Sequence, residues 1–316
     1  MKSVSELEAA SVPRASSSAA QYMKRAFPIY LMILPGFLAI VLFKYLPMFG
    51  IVISFQKYSP FKGIWGSQWV GFDHFVRLFT EQQFVTLLKN TLLLNLIDIC
   101  FYFPAPIVFA LILNEVRMKW FKSTMQTVVY LPHFVSMIVV VGLTIVLFAG
   151  ESGGVNLFLD SIGLPRYQGL NDPDHFRFIW LLQNIWKEVG WSAIIYLAAL
   201  SAIDPTLYEA AVMDGANRWR QIWHITLPSL GGVILTLFIL RLGSFIDIGF
   251  EHIFLLQNPL NLSVSDVFDT YIYRIGVQQG EFSYTTAVGL FKSVVGLVMV
   301  LSANMIAKRA GKEGVY

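Results

Sequence analysis

The sequence predicts an all-α membrane protein with six transmembrane helices, and three observations carry that prediction. Of 316 residues, 56% are hydrophobic and only 14% charged, whereas soluble domains carry about 25% charged residues. Six stretches, 29–54, 86–113, 124–149, 177–203, 231–256 and 284–307, are each long and apolar enough to span a hydrocarbon core as helix, which takes about 20 residues. Lysine and arginine also alternate in density between successive connections, as they do in multi-pass proteins.

The first stretch follows a tail with the cluster Ser16-Ser17-Ser18 and no apolar run; residues 1–26 are expected to be a largely disordered cytoplasmic tail. The stretch is too long, and lacks a small-residue cleavage site, for a signal peptide, so it is expected to remain as a helix. Pro47 in the first span and Pro104 and Pro106 in the second are expected to kink or end helices. Between these spans, Phe72, Phe75, Val76 and Phe79 recur at helical spacing around Asp73, His74 and Arg77, predicting a short amphipathic helix on the outer surface. Trp65, Trp69 and Phe72 suit the headgroup level.

With the N-terminus inside, Lys2, Arg14, Lys24, Arg25, Arg117, Lys119, Lys122, Arg218, Arg220, Lys308, Arg309 and Lys312 fall in the cytoplasm. Only Lys57, Lys62, Arg77, Arg166 and Arg274 fall outside. The positive-inside rule then places both termini, and the connection between the fourth and fifth spans, in the cytoplasm. The domain layout is a tail at 1–26, a membrane domain at 27–309 containing the cytoplasmic loop 204–230, and a cytoplasmic tail at 310–316.

Several function classes fall away. The net charge of +3 reports orientation, and no basic stripe or zinc-type spacing argues for nucleic acid. Cys100 is the single cysteine, which excludes an intrachain disulfide. No Gly-x-x-x-x-Gly-Lys-Ser/Thr phosphate loop occurs; Ala310-Gly311-Lys312 lacks the first glycine and the following hydroxyl. His133 has no second ligand at metal spacing nearby and reads as a hydrogen-bonded loop or helix-start residue. No nucleophile-and-base arrangement marks a catalytic residue.

Loop 204–230 is the most specific segment. Glu209-Ala210-Ala211-Val212-Met213-Asp214-Gly215 is followed, nine residues after the glycine, by Ile225-Thr226-Leu227-Pro228. A match to E-A-A-x3-G-x9-I-x-L-P arises by chance with a probability of roughly 10⁻⁸ per register at average usage. Asp204-Pro205 ends the fourth span and restarts the chain as a short helix over 206–216. Ala210, Ala211, Gly215 and Ala216 keep that helix slim enough for another protein surface to approach its backbone. Glu209 and Asp214 place carboxylates at its edges, and Gly215 permits the turn that follows. The bland alternative is an ordinary polar loop rich in small residues.

This segment resembles the cytoplasmic loop of permease subunits in binding-protein-dependent ABC importers. The resemblance implies the type I importer permease fold, with a coupling helix in the fourth-to-fifth loop seated in a groove of a nucleotide-binding subunit, where Glu209 meets a basic residue. It implies two ATPase subunits carrying the ATP and Mg, with no cofactor in this chain. It also implies a second homologous permease, here expected to be a different chain, an extracytoplasmic substrate-binding protein, and a place in the bacterial inner membrane. Tyr45-Leu46-Pro47-Met48-Phe49-Gly50-Ile51-Val52-Ile53-Ser54-Phe55, Tyr58-Ser59-Pro60-Phe61-Lys62-Gly63-Ile64 and Tyr130-Leu131-Pro132-His133-Phe134 are similar to the oligosaccharide branch, which includes permeases for alginate, polygalacturonan and rhamnogalacturonan fragments. An oligosaccharide, and an acidic one as a further hypothesis, is the solute this implies. An importer of another solute, such as an amino acid or phosphate, and an ATP-independent channel or secondary transporter are the alternatives.

Polar residues inside spans mark candidate path positions, because an intramembrane charge costs about 3 kcal/mol and faces a cavity or a partner. Counting at 1.5 Å per residue from 231 puts Arg241 ~16 Å deep, near the midplane. Ser244, Asp247 or Ile248, and Glu251 follow at intervals of three to four, completing one stripe. Gln183, Lys187 and Trp191 make another on the fourth span, beside Asn184 and Glu188. Trp191 and Tyr196 offer flat surfaces for sugar rings. Arg241 and Lys187 would attract an anionic solute, which Asp247 and Glu251 oppose. For each charge two readings stand, contact with solute or pairing between helices. Asp98 and Lys292 are expected to pair between helices.

Overall fold

The computed structural model describes residues 19–148, 152–167 and 169–309. The expected C-terminal tail, 310–316, and residues 1–18 of the expected N-terminal tail lie outside the described residues, whereas 19–26, expected to be disordered, are helical. The chain divides into two units, 1–52 and 53–316.

In the first unit, α1 (Ala19–Ile40) starts well before the expected residue 29. It continues through a wide turn at Val41–Tyr45 into Leu46–Met48. The candidate span is Ala26–Phe55, 30 residues long.

In the second unit, Gln56–Lys57 and Gln68–Trp69 form a two-residue antiparallel ribbon, Gln56 opposite Trp69, a small exception to the all-α expectation. The amphipathic helix is present as α2 (Asp73–Thr80). Arg77 at its end donates to Glu281 at 2.5 Å and lies 4.1 Å from the Tyr284 ring. That hydrogen bond to the Glu281 carboxylate holds the Arg77 guanidinium above its ordinary pKa.

The second span, Gln83–Glu115, consists of α3 (Gln83–Ile97), a wide turn at Asp98–Tyr102 and α4 (Pro104–Glu115). Pro104 was expected to kink or end the helix; the chain instead widens ahead of it. A proline ring clashes with the carbonyl four residues earlier, and an i to i−5 turn moves that carbonyl away. Phe103 N donates to Asp98 O at 2.8 Å. The same device precedes Pro47, where Leu46 N bonds Val41 O, and Pro228, where Leu227 N bonds Ile222 O.

The third expected span, 124–149, is broken. Lys119–Phe134, which includes α5 (Lys119–Tyr130), meets α6 (Met137–Phe148) at 97°. Pro132 closes a tight turn and Val135 is extended at φ −77° and ψ 131°, so the backbone cannot continue as helix. After α7 (Gly154–Ser161) comes α8 (Pro173–Ser201), capped by the Asp172 side chain accepting from Asp174 N at 2.9 Å. It bends by 69° into α9 (Pro205–Met213). Gly190 lets α8 touch α5, since a Cβ there would lie 2.2 Å from Val129 O.

The fifth span is displaced from the expected 231–256. It runs from Arg218 to Gly243 and ends in α10 (Leu227–Gly243). A turn through Ser244 and Asp247 and Gly249 at φ +92° then lead into α11 (Phe250–Leu256). The continuous stripe Arg241–Ser244–Asp247–Glu251 is therefore corrected: no helix joins those residues. In this span 23 residues precede Arg241, ~35 Å of helix. α12 (Phe268–Ile272) precedes the last span, α13 (Phe282–Arg309). A Cβ on Gly296 would sit 2.9 Å from Gly243 O, so small residues let α10 and α13 cross closely. One core cluster, Ala110, Ala193, Tyr196, Leu200 and Leu230, joins α4, α8 and α10, the three helices that carry most of the candidate site.

Candidate functional site

Two features bear on function, a cleft among α4, α8 and α10 whose mostly apolar wall carries a few polar groups, and the exposed helix α9. The wide turn ahead of Pro104 positions the cleft by turning Asp98 and Tyr102 toward α10 and α8. Asp98 is buried and receives Nε and Nη2 of Arg241 at 2.7 and 2.5 Å. The fork is bidentate, the strong geometry for guanidinium and carboxylate, and leaves Nη1 outside it. The guanidinium also lies 5.6 Å from the Tyr102 ring, whose hydroxyl is 3.1 Å from Ser192 Oγ.

A cavity of about 550 Å³ opens here, lined by Trp191, Tyr196, Arg241 and Ser244 together with Tyr102 and Ser192. Four residues singled out from the sequence thus share one cleft, although Arg241 and Ser244 end a helix rather than crossing mid-helix. Trp191 is 46% exposed and Tyr196 only 2%, so the indole offers most of the aromatic surface. Tyr102 and Ser192 were missed; Ser192 stands one residue beyond the Gln183–Lys187–Trp191 stripe, off its periodicity.

Gln183 and Lys187 do not line this cleft; Gln183 lines a different, apolar cavity of about 500 Å³. Gln183 donates to Thr144 Oγ1 and its Oε1 meets His252 Nε2 at 2.5 Å. Lys187 donates to His133 O at 2.7 Å and lies 3.3 Å from Glu188. The elbow at Pro132 strands carbonyls that a continuous helix would satisfy, and a lysine at a helix C-terminus answers both the orphan acceptor and the dipole. Glu188 in turn contacts His133 Nδ1 at 2.8 Å, and the His133 ring stacks on Trp191 at 4.4 Å with 1° between planes. His133 is a hydrogen-bonded residue beside a helix break, as expected, and no metal-binding group of three His, Cys, Asp or Glu occurs among the described residues.

Asp247 and Glu251 do not reach the cleft. Asp247 and Lys292 line an adjoining cavity of about 250 Å³ that shares Ser244 with the cleft, and Lys292 pairs with Asp269. Glu251 is exposed on α11. Both interhelical partners foreseen from the sequence, Asp98 and Lys292, are in ion pairs.

Helix α9 is built to stand out from the chain. Asp204 caps it by accepting from Thr206 N at 2.9 Å, with Pro205 in the first turn. It ends three residues short of the expected 216. Gly215 adopts φ +76°, Gly215 N donates to Val212 O at 3.0 Å and Ala216 N to Ala211 O at 2.9 Å, a glycine-terminated stop that satisfies the last carbonyls. Glu209, Ala210, Asp214 and Gly215 are exposed, Ala211 and Ala216 partly so. Val212 and Met213 are 58% and 86% exposed, an apolar surface that nothing among the described residues covers. Tyr208 Oη meets Thr226 Oγ1 at 2.9 Å, tying α9 to the span that carries Arg241.

Residues 102–312 match the family "Binding-protein-dependent transport system inner membrane component". The chain is 54% identical over 288 residues to the polygalacturonan/rhamnogalacturonan transport system permease protein YteP of Bacillus subtilis (strain 168), covering 91% of this chain and 90% of the relative. It is 50% identical over 294 residues to Protein LplB of the same organism, covering 93% and 92%. Among solved structures, a chain of a bacterial alginate ABC transporter in complex with alginate pentasaccharide-bound periplasmic protein superposes with a TM-score of 0.86 at 43% identity, covering 94% of this chain and 99% of that one.

Proposed function

The chain belongs to the binding-protein-dependent transport system inner membrane component family, and on that premise we propose that it forms half of the translocation path of an ATP-driven importer for an acidic, pectin- or alginate-type oligosaccharide. The observation that carries the substrate class is the pair of relatives just described: two likenesses spanning nine-tenths of the chain, both to transporters of acidic polysaccharides. The partners are two ATPase subunits holding ATP and Mg, a second, different permease chain, and an extracytoplasmic binding protein. This chain catalyses nothing itself. Both termini and α9 lie in the cytoplasm, and the lysine and arginine asymmetry supports that sidedness.

In this reading Glu209, Ala210, Ala211, Asp214, Gly215 and Ala216 meet the ATPase subunit. The uncovered apolar residues Val212 and Met213 favour a protein contact there. Displacement of α9 is passed through the Tyr208–Thr226 contact to α10 and so to the Arg241 end of the cleft. The cleft supplies what a sugar needs, an indole face at Trp191, hydroxyls at Ser192 and Ser244, and the Nη1 of Arg241 for a hydroxyl or carboxylate. Lys187 braces the elbow at His133 beside Trp191, Gln183 lines the path farther along α8, and Asp247 and Glu251 extend it on the far side of the α10 end. ATP shifts the equilibrium between inward- and outward-open states only through its differential affinity for the two.

The test is ATPase activity of the complete complex in lipid, with the binding protein loaded with oligogalacturonate, alginate or a neutral oligosaccharide. Stimulation by an acidic load above a neutral one is expected. Activity indifferent to every load, or no co-purifying ATPase, would overturn the reading.

A further inference from the structure

We propose that the cytoplasmic end of this chain holds an anionic phospholipid, with an acyl chain in a groove beside Trp219 and Trp223 and the phosphate against Arg117 and Arg218. The proposal rests on the sidedness given above but not on the identity of the solute. Two adjoining cavities share Glu115 and Arg218. The larger, about 620 Å³, is walled by apolar side chains of α4 and of the fifth span, among them Ile107, Val108, Ile112, Trp223 and Leu227. The smaller, about 220 Å³, is polar, lined by Asn114, Glu115, Arg117, Tyr208 and Arg218. Together they have the form of an amphiphile.

Charge and composition select the occupant. Two guanidiniums face one carboxylate in the polar pocket, and the Arg218–Glu115 contact, at 3.9 Å between half-exposed side chains, is too long to neutralise either fully. Arg218 Nη1 reaches Gln221 at only 3.4 Å. Donor capacity therefore remains for a phosphate, which guanidiniums bind well. Trp219 and Trp223 are 72% and 64% exposed at the groove, the position tryptophan takes at a lipid–water interface. Basic pockets between helices on the cytoplasmic side are where anionic headgroups bind. Because Tyr208 of α9 lines the same polar pocket, the headgroup would touch the helix assigned to ATPase contact, and its occupancy would tune coupling.

The complete complex in nanodiscs of phosphatidylcholine, with or without phosphatidylglycerol, provides the test, read by native mass spectrometry of retained lipid and by ATPase rate. Wild type should retain phosphatidylglycerol in preference to phosphatidylcholine. Arg117→Gln with Arg218→Gln should weaken that preference about twenty-five-fold, the product of about fivefold for each arginine at an anionic surface. Val108→Trp, which leaves the headgroup pocket intact and fills the groove, should also lower retention. Equal retention of the two lipids by wild type would mean an ordinary lipid annulus and overturn the proposal. So would unchanged preference in both variants, or quenching of Trp223 by spin-labelled lipid only after the ATPase subunits are stripped, which would place protein in the groove. Solute uptake into proteoliposomes of the same lipid compositions separates the two readings: absent uptake with preferred phosphatidylglycerol retention refutes the importer assignment and leaves the lipid site standing.

Discussion

Replacing both members of the Asp98–Arg241 pair should restore stability that either single replacement removes. The Asp98 side chain is 4% exposed and that of Arg241 40%. Arg241→Met therefore strands a buried carboxylate, a loss that runs to 3–5 kcal/mol for buried pairs. Because half-exposure of the guanidinium already weakens the attraction, about 3 kcal/mol is expected, at the low end of that range. Asp98→Leu leaves an arginine that can turn its head into the cleft, so the loss should be about 1 kcal/mol. The double variant removes both desolvation costs and should lie within about 1 kcal/mol of wild type. The resulting coupling energy of roughly 3 kcal/mol is measurable by equilibrium unfolding in mixed detergent micelles as a double-mutant cycle. A double variant whose loss equals the sum of the two singles would refute a direct, buried pair. Uptake by the same double variant separates the two roles of Arg241. Restored uptake means that Arg241 serves only to pair; lost uptake in a stable protein means that its free edge meets the solute.

Three further outcomes follow from the geometry. Gly190→Ala would drive a Cβ to 2.2 Å from the Val129 carbonyl; the required shift between α8 and α5 should cost about 1–3 kcal/mol, seen as lower thermal stability in size-exclusion assays, and wild-type stability would show that the helices slide freely. Glu209→Ala with Gly215→Asp should leave the membrane spans folded while abolishing stimulation of the ATPase by loaded binding protein, since any side chain at φ +76° is strained and a second carboxylate is added; normal stimulation would refute α9 as the coupling element. The Thr206 backbone N–H, and after it the Thr206 side chain, hold Asp204 below the usual carboxylate range. Its folded pKa is thus below its unfolded value, so its contribution to α9 is complete above about pH 4 and is lost as the pH falls through the depressed value. Protection of the α9 amides, measured relative to the intrinsic exchange rate at each pH, should fall on acidification in wild type but much less in Asp204→Asn, which caps without titrating; parallel curves would remove Asp204 from the account.

What the sequence revealed and what it hid divide along a physical line. Runs of apolar residues located four spans that are continuous helices, the fifth with shifted bounds, and two more that are bent pairs, because burial in hydrocarbon depends on composition and length, and the glycine and proline positions around α9 read directly because turn chemistry is local. Proline was misleading for a related reason. At Pro104 and Pro228 the chain absorbs the ring by widening one turn, a solution no propensity scale distinguishes from a helix end, whereas at Pro132 it breaks by 97°. The cost of that break is met by Lys187, 54 residues away along the chain, through the His133 carbonyl. Periodicity names a face and is silent about which helix it meets, so Arg241 was grouped with Asp247 and Glu251. Once α10 stops at Gly243, the turn carries Asp247 to the Lys292 cavity and the nearest carboxylate to Arg241 becomes Asp98, itself turned inward by the wide turn that Pro104 requires. The cleft is therefore a consequence of two helix irregularities meeting. A substitution that regularised either one, such as Pro104→Ala, would alter the site without touching any residue that lines it with a polar group.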